Sequence, residues 1–340
     1  MINTFKIDNT EFNVDTKFKD TFVVNSHPTS YDVRFDSYKS VVAASYVLLI
    51  DKNVKNLYNI NHPRVVEIDP TEQNKNIETV LFICDKLLKF NFNKQHTLAV
   101  VGGGIIQDLA AFACKMYKRG VDWQYIPTTL LSQCDSCIGG KTALNFESYK
   151  NQLALFSAPT SVIIDTKFIE TLSSNDIVSG MGEIIKMFFI GGSYFLNKIP
   201  TDYKQLIYYS LFIKKQIIEY DEFENNHRKS LNLGHTFGHI IEPLTNYSIP
   251  HGEAVLLGIE IINKLFYNNS QVTTWINKYT SLDKIKNIDV NQLFDCIKTD
   301  KKVRGNTICF VGIKSIGNIE FVDKDINEDI KDKLYEVFAN

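Results

Sequence analysis

Nothing in this chain is long and apolar enough for a membrane-spanning helix. Its longest mainly apolar run, Val41 to Ile50, falls far short of the roughly 20 residues such a helix needs. The opening MINTFKIDNTEF lacks the basic start and apolar core of a secretory signal. Blocks of like charge are missing too. Acids and bases are interspersed and the formal net charge is -2, which argues against a nucleic-acid or membrane-surface partner held by bulk charge. Six cysteines, at positions 84, 114, 134, 137, 296 and 309, are too scattered for a disulfide framework in a chain of this size and point to a reducing cytoplasm. Cys134 and Cys137 form a CxxC, yet no second pair stands nearby to complete a zinc site, so coincidence is the simpler reading. Internal repeats and low-complexity segments are absent from the pattern as well.

What is present is ordinary for a globular protein: 44% apolar and 22% charged residues in 340, enough for two modest domains. The first half alternates short β-rich runs (44–51, 65–69, 96–104, 123–127, 161–165) with helical spacing at 77–90 and 105–117. That alternation predicts a largely parallel sheet covered by helices. After about residue 173 apolar positions recur at helical intervals over 176–198, 203–222, 234–244 and 253–267, followed by short strands at 307–313 and 319–323 and a last helix near 326–338. The pattern predicts an α/β, Rossmann-like domain over 1–172 and a mainly α-helical domain over 173–340.

The densest chemistry lies in RKSLNLGHTFGHIIEPLTNYSIPHGEAV, residues 228–255, which holds three of the seven histidines. His235 and His239 are one helical turn apart on one face, and His251 follows a loop containing Pro243 and Pro250. Neutral imidazole is the commonest metal ligand, so the cluster is a candidate metal site; hydrogen-bonded helix histidines are the plain alternative. An HExxH metalloprotease is excluded, because Thr236 stands where its general-base glutamate belongs.

Gly102-Gly103-Gly104 ends one strand and opens a helix, with Asp108 one turn in. Such a turn admits close backbone approach and offers free N–H groups to phosphate oxygens, although it is not GxGxxG and would also serve as a bare strand-to-helix turn. Asp51 at a strand end and Glu72 are carboxylates placed to hold ribose hydroxyls, or solvated loop acids. In PTTLLSQCDSCIGGKTALN, Thr128, Thr129 and Asp135 offer hydrogen bonds, and Lys141 after Gly139-Gly140 could meet a phosphate as a point charge. Lys150-Asn151 adds a cation and an amide. A P-loop reading of GGKT is poor, since Asp135 stands where its first glycine should be.

Together GGGIIQDLAAF, YKRG, PTTLLSQCDSCIGGKTALN, YKNQLALF, GMGEIIK, RKSLNLGHTFGHIIE, HGEAV and TDKKV resemble, in order and spacing over roughly residues 50–313, the 3-dehydroquinate synthase family of sugar-phosphate cyclases. The resemblance implies that Glu183, His235 and His251 bind Zn2+, with Co2+ as the alternative ion. It implies an NAD site made of Asp51, Glu72, Lys75, Gly103, Gly104, Asp108, Thr128, Thr129, Asp135 and Lys150. Lys141, Asn151, His239 and one of Lys301 or Lys302 would surround the substrate phosphate, joined by Arg119 from the neighbouring subunit of a homodimer. Lys214 and Arg228 would bind the substrate carboxylate, and Lys186 and Asn232 would orient hydroxyls near the metal.

The reaction so implied converts 3-deoxy-D-arabino-heptulosonate 7-phosphate to 3-dehydroquinate and phosphate, a step of the shikimate pathway to aromatic amino acids. It proceeds by transient oxidation with NAD, phosphate elimination, re-reduction and intramolecular aldol closure, which makes the enzyme a lyase. The cations clustered in the motifs match a substrate bearing both a carboxylate and a phosphate. Four positions depart from the family pattern. Gln107, Tyr149 and Ala154 replace common glycines and Cys137 replaces a small residue, which bears on substrate identity more than on reaction type. The alternatives are a sister cyclase acting on another sugar phosphate, a metal-dependent polyol dehydrogenase of the glycerol-dehydrogenase kind, and a silent binding protein that kept the fold.

Overall fold

A computed structural model describes residues 2–147, 149–298, 303 and 305–339, and resolves into two compact units, 18–172 and 1–17 with 173–340. The chain opens on a hairpin, β1 (Ile2–Ile7) and β2 (Thr10–Asp15), whose alternate residues Phe5, Ile7, Phe12 and Val14 are buried. The sequence reading assigns this hairpin to the first domain, but it belongs to the second unit. The physical reason is pairing: β1 runs parallel to a C-terminal strand, with Ile7 opposite Ile319, and Asn3 Nδ2 donates to the Gly191 carbonyl at 2.6 Å.

The α/β unit contains β3 (Thr21–Val24), β4 (Tyr31–Phe35), α1 (Tyr38–Ala44), β5 (Val47–Asp51), α2 (Lys52–Tyr58), β6 (Val65–Ile68), α3 (Ile77–Lys89), β7 (Leu98–Gly102), α4 (Gly104–Met116), β8 (Trp123–Pro127), the hairpin β9 (Lys141–Phe146) and β10 (Tyr149–Phe156), and β11 (Ser161–Ile164). Seven strands form one sheet in the order β3-β4-β11-β8-β7-β5-β6, parallel except for the antiparallel edge strand β3. Strands β5, β7 and β11 are buried at every residue, as apolar runs in a sheet covered on both faces should be. Strand order reverses between β5 and β7. In open α/β sheets ligands bind at the carboxyl ends of strands beside such a switch, and here those ends carry Asp51 and Gly102-Gly103.

The helical unit runs through α5 (Ser174–Gly191), α6 (Ser193–Asn197), α7 (Tyr203–Tyr220), α8 (His235–Leu244), α9 (His251–Phe266), α10 (Ser270–Ile276), α11 (Val290–Lys298), β12 (Thr307–Ser315), β13 (Asn318–Asp325) and α12 (Glu328–Ala339). Its small sheet has the order β12-β13-β1-β2. The single helix expected over 176–198 is broken at Gly192, whose φ of 105° no other residue type adopts readily. Pro243 falls inside the last turn of α8 rather than in the following loop. Helix α9 is apolar nearly all round and buried along most of its length, packing against α5, α8, α10, α12 and β12. No helix among the described residues is long and apolar enough to cross a membrane.

Candidate functional site

The helical unit places α5, α8 and α9 unusually close, and glycine is the reason. A Cβ built on Gly182 would fall 2.2 Å from the backbone of Gly252, and one on Gly252 would fall 2.1 Å from the Ser179 carbonyl oxygen. On the other flank of α9, a Cβ on Gly258 would lie 2.0 Å from the Gly234 carbonyl oxygen. No side chain fits at these crossings, so the motif glycines set the distance between the neighbours that carry chemistry.

Those neighbours are Glu183 on α5, His235 at the start of α8 and His251 at the start of α9. Their ligand atoms lie within 4.8 Å of one another, a spacing one metal ion can span. The Glu183 carboxylate is 1% exposed; its Oε1 stands 3.4 Å from His235 Nε2 and 3.2 Å from His251 Nε2. Its Oε2 meets Lys186 Nζ at 2.5 Å, one turn along the same helix. Oε2 is thus held by the Lys186 ammonium, while Oε1 faces two imidazole nitrogens. Burial acts to raise the Glu183 pKa, but Lys186, His235 and His251 outweigh it and hold the group ionised, well below the usual carboxylate range.

Both rings are tied back through Nδ1. His235 Nδ1 lies 3.1 Å from the Leu233 carbonyl and His251 Nδ1 3.3 Å from Glu242 Oε1. With Nδ1–H donating in each case, both Nε2 lone pairs point toward Glu183 Oε1. Burial and the Lys186 charge push the His235 pKa well down, keeping it the neutral donor a metal requires. For His251 burial also acts downward, but Glu183 and Glu242 outweigh it and raise the pKa to about 10. A cation between them would replace the proton that these two carboxylates otherwise attract.

Around this centre, Lys186 Nζ also donates to the Leu231 carbonyl at 3.0 Å, and Asn232 Nδ2 donates to Glu224 Oε1 at 3.0 Å. His239 stands beside both metal-competent histidines, with ring centroids 5.1 Å from His235 and 5.9 Å from His251. Arg228 is 2% exposed and donates through Nη1 to the Glu222 carbonyl. Its own N–H, with those of Asn225 and Asn226, is held by the Asp221 carboxylate at 2.8–3.0 Å. Lys214 is buried on α7. Lys301 and Lys302 lie outside the described residues.

In the α/β unit, α4 starts at Gly103 without a side-chain cap, so its first N–H groups are unclaimed by a side chain, and the space over Gly104 is open. Thr129 packs against Gly103 closely enough that a Cβ there would meet its methyl at 3.0 Å, and the Thr128 N–H donates to the Gly102 carbonyl at 3.1 Å. Asp51 Oδ1 already caps α2, accepting from Asn53 N at 2.7 Å and Val54 N at 3.3 Å; burial raises its pKa. Lys75 bridges Asp108 at 2.6 Å and Asn151 Oδ1 at 2.8 Å, bringing together a residue assigned to the cofactor and one assigned to phosphate. Asp108 is pushed up by burial, which Lys75 only partly offsets. Lys141, Lys150 and Asn151 are exposed on the β9–β10 hairpin, and Asp135 lies in a π-helical turn, Ser132–Ser136. Arg119, at φ 63°, lines a shallow surface hollow with Lys118, Lys94, Asn93 and Gln95.

Three contributors carry no role in the sequence reading. Glu242 is one. Asn145 is another: it donates to Glu72 Oε1 at 2.8 Å and accepts from the Asn151 N–H at 3.0 Å, joining two assigned residues. The third is Ser136, which exchanges two hydrogen bonds with Gln107 at 2.7 and 2.8 Å and so explains how glutamine is accommodated at a position where glycine is common. The i, i+4, i+7 spacing of His235, His239 and Glu242 was the available signal for the first.

Two family models match the chain in sequence, 3-dehydroquinate synthase N-terminal over residues 65–179 and 3-dehydroquinate synthase C-terminal over residues 180–303. A 3-dehydroquinate synthase of Pelagibacter ubique is 38% identical over 330 residues, covering 85% of this chain and 88% of its own. Among solved structures, 2-deoxy-scyllo-inosose synthase complexed with carbaglucose-6-phosphate, NAD+ and Co2+ superposes with a TM-score of 0.78 at 22% identity, covering 93% of this chain and 99% of that one. The 2-epi-5-epi-valiolone synthase of Streptomyces hygroscopicus subsp. jinggangensis, with NAD+ and Zn2+ bound, gives 0.75 at 20% identity, covering 94% and 99%. These two likenesses concern the fold; the sequence matches carry the family. With the motifs, the two-unit architecture and the Glu183-His235-His251 cluster already described, the chain belongs to the 3-dehydroquinate synthase family, within the sugar-phosphate cyclases.

Proposed function

We propose that this chain is an NAD- and divalent-metal-dependent sugar-phosphate cyclase, and that within this class it forms 3-dehydroquinate from the seven-carbon keto-acid phosphate. The observation that carries the reading is the buried Glu183 carboxylate facing two Nε2 atoms whose rings are each fixed through Nδ1. Two imidazoles and one carboxylate are the donor set of an open catalytic zinc site, with room for substrate oxygens. When bound, the ion would polarise a substrate hydroxyl and NAD would accept and return a hydride.

The chain's own residues do the rest. Lys186, held between Glu183 and the Leu231 carbonyl, is a buried cation beside the hydroxyls to be oriented. Arg228, stationed by Asp221 and Glu222, would exchange its main-chain contact for a two-pronged grip on the substrate carboxylate, with Lys214 adding charge. The uncapped start of α4 and the Lys75–Asp108 pair suit the cofactor's phosphates and nicotinamide side, and Asp51 and Glu72 its ribose hydroxyls. Lys141, Asn151 and His239 suit the substrate phosphate. Arg119 would need a second copy of the chain to take part, which makes a homodimer the expected form.

A second reading, a sister cyclase for another sugar phosphate, draws on the likeness in fold to the two cyclases above and on Gln107, Tyr149 and Ala154. Purified protein supplied with NAD, Zn2+ and the keto-acid phosphate should release inorganic phosphate with no net NADH. Release only from sedoheptulose or glucose phosphates would move the assignment to the sister cyclases; NADH accumulating with simple polyols would move it to a dehydrogenase.

A further inference from the structure

Helix α8 presents His235, His239 and Glu242 at i, i+4 and i+7, one stripe along its face. The first two carry assigned roles; Glu242 does not. We infer that Glu242 is a positioning residue for His251: its carboxylate accepts the Nδ1–H, selects the ring tautomer and orientation, and aims the Nε2 lone pair at the ion. The inference rests on the metal reading above.

The geometry is a relay through one ring. His251 spans Glu242 Oε1 on the Nδ1 side at 3.3 Å and Glu183 Oε1 on the Nε2 side at 3.2 Å. Metal-bound histidines require a partner on the second nitrogen, and His235 finds its own in the nearby Leu233 carbonyl. His251 opens α9 as His235 opens α8, but its Nδ1 faces Glu242 Oε1 at 3.3 Å. A carboxylate from the adjacent helix takes the part that a carbonyl plays for His235. The close glycine crossing of α8 on α9 brings that carboxylate within reach. A charged acceptor also makes the imidazole a stronger donor than a carbonyl would.

His239, Glu242 and His251 form a second group whose ligand atoms lie within 4.8 Å of one another. If that group bound its own ion, His251 Nδ1 would be a ligand and Glu242 another, which is the competing interpretation.

The test uses the full-length chain stripped of metal and titrated with Zn2+ against a chelating competitor, and separately with Co2+ followed by visible absorption, for wild type, Glu242→Ala and Glu242→Gln. Wild type should take up one ion per chain. Glu242→Ala should bind Zn2+ about 10- to 100-fold more weakly, the usual cost of removing such a partner, with a changed Co2+ spectrum. Glu242→Gln keeps an oxygen that accepts Nδ1–H and should recover a substantial part of the affinity. Equal Zn2+ affinity and an unchanged spectrum in Glu242→Ala would overturn the inference, as would a Gln variant no better than Ala. Two ions per wild-type chain, one lost on mutation, would make Glu242 a ligand instead. A wild type that binds no ion would remove the metal reading itself, an outcome separate from the others. Unfolding of the metal-free variants at the wild-type temperature identifies losses that belong to binding and not to folding.

Discussion

In the helical unit the groups proposed to hold an ion are sunk among packed helices, with Glu183 1% exposed and the rings fixed on both sides. In the α/β unit, Lys141, Lys150 and Asn151 stand exposed on a two-stranded hairpin, and the helix start at Gly103-Gly104 is open. The two regions solve different problems. A metal needs a few donors held to a fraction of an ångström, which tight helix crossings provide. A phosphorylated ligand brings its own charge and can be met by lysines on an exposed hairpin.

Substitutions should separate the two regions sharply. Gly252→Ala forces a Cβ against the Ser179 carbonyl; overpacking of this kind costs about 1–3 kcal/mol. We expect a lower thermal midpoint together with lost zinc, and a variant with wild-type stability and metal content would show that the crossing is not what sets the donors. Arg228→Met should retain zinc but weaken substrate binding by about ten- to a hundredfold, in line with ~1.5–3 kcal/mol for hydrogen bonds to a charged group. Unchanged substrate affinity would remove Arg228 from the carboxylate site.

Asp221→Asn probes the loop that stations Arg228. Burial raises the Asp221 pKa, yet the N–H groups of Arg228, Asn226 and Asn225 and the Arg228 charge outweigh it, leaving it below the ordinary value. A depressed folded pKa contributes stability above the unfolded value of about 4 and loses it as pH falls through the folded value. The variant should therefore be less stable than wild type by ~1–2 kcal/mol at neutral pH, a gap that closes below about pH 4 in chemical unfolding. A gap independent of pH would contradict the assignment. The smallest effect on stability belongs to Lys141→Ala, within about 0.5 kcal/mol because the side chain is exposed. Its expected effect is a raised KM for the phosphorylated substrate, and an unaltered KM would take Lys141 out of the phosphate site.

The sequence disclosed most of what local pattern can disclose. Buried strands such as β5 and β7 read as apolar runs, and α7, α8 and α9 read from their spacing, because burial on a face writes itself into residue order. The three metal-competent residues were visible through motifs although Glu183 lies more than 50 positions from His235. Pairings made by distant parts of the chain were not visible. The N-terminal hairpin, with Phe5, Ile7, Phe12 and Val14 buried, went unread, and its partner is β13, near the other end of the chain. The β9–β10 hairpin is interrupted by Asn145, Glu147, Lys150 and Asn151, polar residues that mask strand alternation, and no strand was read there. For Glu242 the spacing showed a face shared with His235 and His239 but not its partner His251, which is set by how α8 lies on α9 through glycines whose packing role shows only in three dimensions.

X-ray absorption at the zinc edge of the metal-loaded chain, with metal content determined on the same sample, bears most directly on the centre. One ion per chain, surrounded by nitrogen and oxygen ligands at about 2.0–2.2 Å and including two imidazoles, is the predicted result, with His235→Ala losing the ion. Sulfur ligands near about 2.3 Å, or a His235→Ala variant that keeps a full equivalent of zinc, would contradict it.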